Sequence, residues 1–162
     1  MDISKHWKDI VDVVTKGQKS SLHCAIASVD EQGMPNVTPI GTVFLRDDYS
    51  AYYFDSYTSQ LADNISTNPN VCVMAVNTGA LFWFKSLFKG RFLSAPGVRL
   101  YGQAGQLRAA SLEEKALIED RIKPTRWMKG SKLIWSDFTH VRDIQLSSFR
   151  PVKYPKMMAH LW

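Results

Sequence analysis

The apolar residues at the start of the chain recur at the spacing of an α-helix. They fall on one face, with charged residues between them, and are Ile3, Trp7, Ile10, Val11 and Val14. Asp2 is a suitable N-cap, and Gly17 lies just past the last apolar position. The pattern therefore predicts an N-terminal helix over residues 1–17 that packs against the rest of the protein.

The next segments have the composition and alternation of β-strands. Residues 22–29 and 35–45 flank a turn at Asp30-Glu31-Gln32-Gly33, and a further turn at Asp47-Asp48 leads into residues 51–54. These three segments predict an antiparallel meander. Pro39 and Gly41 interrupt the second strand, which we therefore expect to be irregular or at an edge of the sheet.

Two more helices and three more strands follow. Thr58 and Ser59 can begin a short helix that ends at Asn68-Pro69, and Ser111-Leu112-Glu113-Glu114 forms a capping box that opens a helix to about residue 122. Strands are predicted at 71–77, 98–107 and 139–146. The tail, residues 148–162, is interrupted by prolines, and we expect it to lie across the surface or on a partner subunit.

This order of elements predicts a mainly β fold with flanking helices. The six strands are joined by short connections, and closing them into an antiparallel barrel removes the exposed edges. A length of 162 residues suits one domain spanning residues 1–162, and a composition of 45% apolar and 22% charged residues is that of a folded globular protein.

The composition of the chain argues against a metal centre, a membrane span and a nucleic-acid-binding motif. Cys24 and Cys72 lie in apolar runs, which predicts buried thiols and no metal centre. Charges interrupt the apolar start, so we expect no signal peptide, no membrane insertion and a cytoplasmic location. The net charge is +5, but no motif supports binding to nucleic acid.

Residues 79–97, the aromatic–basic segment, interleave Phe and Trp with lysine and arginine. Three interpretations of its central part, Leu81 to Phe92, stay open. It is a core or dimer-interface insert, a lid over a ligand, or a patch for a membrane surface or nucleic acid.

An ordered set of segments resembles a known family. These segments are HCAIASVDEQGMPNVTPIGTVFL, AYYFDS, YTSQLADNI, STNPNVCVMAV and GVRLYGQAGQL. Together they are similar to the FMN-binding split barrels of the pyridoxamine 5'-phosphate oxidase-like family, over about residues 20–107. The resemblance implies a six-stranded antiparallel split barrel and a homodimer with FMN at the subunit interface.

The resemblance also implies the cofactor-binding residues. The phosphate is expected at the start of the short helix, where N–H groups and the positive end of the helix dipole favour an anion. The flavin ring is expected along the second and third strands. The implied residues are Thr38, Pro39, Ile40, Gly41, Thr42, Phe54, Asp55, Ser56, Thr58, Ser59, Gln60 and Arg99. Thr58 and Ser59 also suit a purely capping role, and Gly41 a bulge.

One position departs from the family pattern. Where relatives carry a lysine or an Arg–Lys pair for the phosphate, this sequence has Gln60 and Leu61. A partly buried dianion needs a cation, and the candidates are Arg46, Arg99 and Arg126, of which Arg99 is favoured.

The predicted function is that of an FMN-dependent oxidoreductase acting on an unidentified small molecule, with catalytic residues unknown. The tail lacks the Arg- and His-rich motif of pyridoxamine phosphate oxidases proper. The alternatives are a haem-binding or haem-degrading relative, for which His160 is a candidate ligand, a non-catalytic flavin binder, and a cofactor-free interaction module. A deazaflavin is a further possible cofactor.

Overall fold

The computed structural model describes residues 2–56, 58–134 and 137–161, apart from the side chain of Lys132. The α-helices of these ranges are α1 (Trp7–Ser21), α2 (Ser59–Thr67), α3 (Ala80–Lys89), α4 (Leu112–Ile122) and α5 (Lys129–Ile134). The strands are β1 (Cys24–Val29), β2 (Pro35–Ile40), β3 (Val43–Leu45), β4 (Ser50–Phe54), β5 (Asn70–Val76), β6 (Gly97–Ala109) and β7 (His140–Pro151).

The strands form one curled antiparallel sheet in the order β2-β1-β5-β6-β7-β4-β3. Its two outermost strands, β2 and β3, are separated in the chain by only Gly41 and Thr42. The sheet must therefore curl until its edges approach each other, which gives the predicted split barrel.

The described residues contain seven strands rather than the predicted six, because the segment 35–45 is two strands. At Gly41–Thr42, which we call the corner, the chain leaves the pairing with β1 and enters the pairing with β4. The Thr42 hydroxyl fixes this corner, since it accepts from the Phe54 N–H at 3.2 Å and lies 3.3 Å from the Phe54 carbonyl. Pro39 lies on edge strand β2, as predicted.

Helix α1 covers the interior of the sheet, with Ile10, Val13 and Val14 buried. The prediction that Gly17 follows this helix is wrong. Gly17 is a buried residue inside α1, and a Cβ there would lie 3.1 Å from the Val76 nitrogen, so its missing side chain allows close helix–strand packing. The helix instead ends at Leu22, which has a left-handed conformation.

The aromatic–basic segment contains helix α3. Its inner face packs on the core and on the tail: Trp83 lies 5.3 Å from Phe92 and 5.6 Å from Tyr154 between ring centroids. Its outer face exposes Leu81, Phe84 and Phe88, the last to 85%. The packed inner face agrees with the interpretation as a core insert, while the roles as interface, lid or surface patch stay predictions.

The tail differs from its predicted boundary, because its first residues continue β7 to Pro151. This strand is long because it pairs with β6 from Val98 to Ala109.

None of the described helices has the length and apolarity needed to cross a membrane.

Helix α4 is fastened to the sheet by four charged side chains. Glu114, the N3 residue of the confirmed capping box, accepts from Arg46 at 2.7 Å and from Arg108 at 2.7 and 3.0 Å. Asp143 of β7 contacts the same two arginines at 2.6 to 2.8 Å. The network joins α4 to β6, to β7 and to the residue after β3.

This network predicts acid sensitivity. Hydrogen bonds from Arg108, helped by the Ser111 N–H and Arg46, lower the pKa of Glu114 to about 2, and Arg108 also lowers the pKa of Asp143. The unfolded chain has ordinary carboxyl pKa values near ~4, so stability is full above about pH 5 and falls as the pH drops towards 2. Urea unfolding at a series of pH values should show a shallower loss for Glu114→Gln than for the original chain.

The matched control is Glu119→Gln, which removes an exposed carboxylate paired with Arg126. It should leave the slope unchanged. If Glu114→Gln also left the slope unchanged, the network would not be the source of the acid sensitivity.

Candidate functional site

The first turn of α2 presents unpaired donors. Among the described residues, neither the Ser59 nor the Gln60 amide N–H makes a hydrogen bond, and the N-cap residue, Thr58, makes no side-chain capping bond. Ser59 is exposed. The helix therefore offers N–H groups, a hydroxyl and the positive end of its dipole to an anion, as predicted for a phosphate.

A buried ion pair lies beside this helix start. Asp55, directly after β4, pairs with Arg142 of β7 at 2.5 Å, with side chains only 7% and 12% exposed. The Thr58 hydroxyl donates to the same carboxylate. The ion pair thereby ties the start of α2 to the sheet, and it balances the charge of Asp55 within the protein.

Gln60 and Leu61, the residues at which the sequence departs from the family pattern, both make contacts within the protein. The Gln60 side chain donates to the Asn64 Oδ1 at 2.9 Å, and Asn64 in turn donates to Ser28. Leu61 is completely buried in the core. Gln60 thus offers its backbone N–H rather than its side-chain amide to a ligand at the helix start.

The predicted ring-binding residues form two groups. The first group consists of Thr38, Pro39 and Ile40, which lie in the edge strand β2, and of Gly41 and Thr42, which form the corner. The second group begins at Phe54, the last residue of β4, whose N–H donates to the Thr42 hydroxyl of the corner. The next residue, Asp55, accepts a hydrogen bond from the Thr58 hydroxyl at the start of α2. The structure therefore brings the corner, the end of β4 and the start of α2 into one continuous stretch. Ser56 also lies there and donates to the Asp137 carbonyl.

The candidate cations lie apart from this stretch. Arg99 lies opposite Met74 and Arg150 in the sheet, and its described contacts connect it to none of the other predicted residues. Arg46 pairs with Glu114 and Asp143, and Arg126 pairs with Glu119. Arg46 and Arg126 are therefore engaged elsewhere within the chain, and Arg99 has no described contact that connects it to the predicted site.

A cavity of about 710 Å³ opens beside the corner, and no pattern in the sequence indicated it. It lies between the end of α1, the corner, α4, α5 and the turn between the last two. Its lining is Thr15, Gln18, Lys19, Leu22, Gly41, Thr42, Ile118, Arg121, Ile122, Thr125, Met128, Gly130, Ser131 and Ile134. In the sequence, Arg121 looks like any solvated charge on a helix, so only the fold identifies it as a cavity residue.

Groups that could serve as nucleophile or metal ligand are held in structural roles. Burial raises the pKa of the Cys24 thiol to about 12, so it is not a reactive thiolate. The Nε2 of His160 lies 2.8 Å from the Phe92 carbonyl, so this nitrogen is used as a donor. No group of three or more His, Cys, Asp or Glu side chains suited to a metal occurs in the described parts of the chain.

Comparison with known proteins gives a family and a fold. Residues 12–145 match the family described as pyridoxamine 5'-phosphate oxidase. No curated protein matches the sequence.

Solved structures share the fold at low sequence identity. An FMN-binding protein of Syntrophomonas wolfei is 12% identical with a TM-score of 0.60, covering 94% of this chain and 95% of that one. HupZ of Group A Streptococcus is 18% identical with a TM-score of 0.57, covering 90% and 92%. HutZ, the haem storage protein of Vibrio cholerae, is 17% identical with a TM-score of 0.55, covering 88% and 94%.

Proposed function

Because the chain belongs to the pyridoxamine 5'-phosphate oxidase family, we propose that it binds FMN and acts as a flavin-dependent oxidoreductase on a small molecule. The observation that carries the proposal is the open first turn of α2, whose Ser59 and Gln60 amide N–H groups make no hydrogen bond among the described residues. An FMN-binding protein with the same fold supports it.

The residues at the start of α2 suit a phosphate because they offer N–H and O–H dipoles, although the helix provides no positively charged side chain there. The Ser59 and Gln60 N–H groups and the Ser59 hydroxyl would hold the phosphate oxygens. Arg142 keeps Asp55 neutralised, so that the carboxylate beside the helix start repels the phosphate less than an unpaired one would. We propose that the missing cation comes from a second copy of the chain, with Arg99 as the candidate, in a homodimer with one FMN per protomer.

The corner would support the flavin ring. Gly41 has no side chain, so a planar ring can approach its backbone closely. The bound FMN would supply hydride or electron transfer, while the chain supplies orientation and a shaped cavity. The cavity borders the corner at Gly41 and Thr42, so a molecule inside it would lie next to the ring.

Substituting Ser59 by aspartate tests the phosphate position. Aspartate is favourable in the first turn of a helix, so the melting temperature should be kept or raised. Its carboxylate would repel the phosphate, and FMN affinity should fall at least about tenfold. Affinity is measured by flavin fluorescence, and sedimentation of the FMN-loaded chain gives the oligomeric state.

Two comparisons make the test specific. Riboflavin lacks the phosphate, so its affinity should be the same for Ser59→Asp and the original chain. Ser66→Asp adds the same charge at the opposite end of α2 and should leave FMN binding unchanged. Equal FMN affinity in Ser59→Asp and the original chain would refute the phosphate position.

A further inference from the structure

Among the described residues that line the cavity beside the corner, the charged ones are all cations. They are Lys19 and Arg121. Neither belongs to an ion pair within the described ranges: the ion pairs of α4 join Glu114 to Arg46 and Arg108, and Glu119 to Arg126. The cavity is therefore electrostatically suited to an anion.

Arg121 is held in a fixed orientation at this cavity. Its Nη1 donates to the Val43 carbonyl at 2.8 Å and to the Gly41 carbonyl at 3.3 Å. Its guanidinium carbon lies 3.6 Å from the centroid of the Phe44 ring. These contacts use only one terminal nitrogen, so other N–H donors of the guanidinium are left for a ligand.

The surroundings of Arg121 make a counter-ion favourable. The residue as a whole is exposed, but packing around the guanidinium lowers its pKa through burial, and no carboxylate pairs with it within the described residues. An anionic ligand would restore the missing interaction, and a charge-assisted contact to arginine is among the stronger hydrogen bonds in proteins.

The remaining walls favour an apolar molecule. Leu22, Ile118, Ile122, Met128 and Ile134 line the cavity. A volume of about 710 Å³ is within the range of roughly 300 to 1,000 Å³ found for pockets that enclose small molecules. A ligand of matching chemistry has an apolar body and one anionic group.

We propose that this cavity binds an apolar small molecule that carries a single anionic group, which pairs with Arg121 while the apolar body lies against α4 and α5. If the proposed flavin function is correct, this is the substrate class of the enzyme, because Gly41 and Thr42 belong both to the cavity and to the predicted ring site. The binding site itself does not depend on the flavin.

Two fluorescent probes of similar shape test the charge preference. 1-Anilinonaphthalene-8-sulfonate is anionic, and N-phenyl-1-naphthylamine is its neutral counterpart. The anionic probe should bind at one site per protomer. Arg121→Met should weaken it about tenfold or more, and Arg121→Lys should weaken it less, since it keeps the charge. The affinity of the neutral probe should change less than about twofold with either variant.

Control variants separate this site from others. Arg126→Met removes an arginine that pairs with Glu119 and does not line the cavity, and it should leave both affinities unchanged. Phe84→Ser with Phe88→Ser removes exposed aromatic side chains of α3, and it should not affect the one-per-protomer site.

Gly130→Leu addresses the case in which Arg121→Met disturbs folding. Gly130 lines the cavity, and no atom lies within 4 Å of a Cβ there, so a leucine can be added without displacing a neighbouring atom. It should abolish binding of both probes. Unchanged binding in Gly130→Leu, or equal losses of both probes in Arg121→Met, would overturn the inference.

The flavin proposal can fail separately. Ser59→Asp should lose FMN yet keep the anionic probe, since Ser59 does not line the cavity. If FMN instead displaces the anionic probe competitively, the cavity is part of the flavin site and the inference of a separate site is overturned.

Discussion

Replacing Arg142 by methionine is expected to lower the free energy of unfolding by about 3–5 kcal/mol, because it leaves the Asp55 carboxylate buried without its partner. Both side chains are largely buried, so water compensates only in part for the loss of the guanidinium. The hydrogen bond from Arg142 to the Gly105 carbonyl, 3.2 Å long, is lost as well. Urea unfolding followed by circular dichroism measures the change.

Two variants test whether the loss comes from the unpaired charge. Asp55→Asn combined with Arg142→Met removes both charges and should recover part of the stability. Lys16→Met breaks an exposed ion pair with Asp12 and should cost at most about 0.5 kcal/mol. If Arg142→Met were as mild as Lys16→Met, the ion pair would not hold the start of α2 to the sheet.

Replacing Gly102 by alanine is expected to cost about 3 kcal/mol, at the upper end of the usual range for overpacking. A Cβ at this position would lie 2.3 Å from the Gln145 carbonyl oxygen and 3.0 Å from the Leu146 Cα. These are backbone atoms of the neighbouring strand, so no side chain can move aside. Gly102 also lies where the register between β6 and β7 shifts, which brings the two backbones close together.

Gly105→Ala provides the matched comparison within the same strand. Its added Cβ would be 3.6 Å from the Asp143 carbonyl oxygen, an ordinary contact. We expect a change within about 0.5 kcal/mol, or a slight gain, because alanine has less backbone entropy to lose on folding. Equal unfolding midpoints for the two variants would contradict the steric explanation.

The strands and most helices could be predicted because their signals are local. Alternating residues identify β1 and β5, and the capping box at Ser111 marks the start of α4, which the structure confirms. The resemblance to the family added the split-barrel arrangement, which alternation alone does not determine.

Features that depend on distant residues were not predictable. Asp55 and Arg142 are 87 positions apart, and nothing near either residue indicates their pairing. Gly17 looked like a helix end because its tight contact with Val76 is a tertiary feature. The aromatic–basic segment was difficult for a different reason: α3 is apolar on its exposed face as well as its packed face, so it lacks the usual helical alternation.

That the cofactor binds at the predicted residues stays a prediction, and the charges around them could not be predicted from the sequence. The sequence indicated the helix start at Thr58 and the corner at Gly41, and the structure joins them through Phe54 and Asp55. It gave no sign of the cavity, because Ile118, Arg121 and Met128 come together only when α4 and α5 fold against the end of α1.

The corner has a consequence for self-association. Because only Gly41 and Thr42 connect the two outermost strands, each edge of the curled sheet is tethered to the other, which limits how far either can move to pair with a strand of a neighbouring molecule. A circular permutation that places the new chain ends between Gly41 and Thr42 would remove this connection and free both edge strands, β2 and β3. We therefore expect this permuted protein to polymerise through edge-to-edge strand pairing more readily than the original chain.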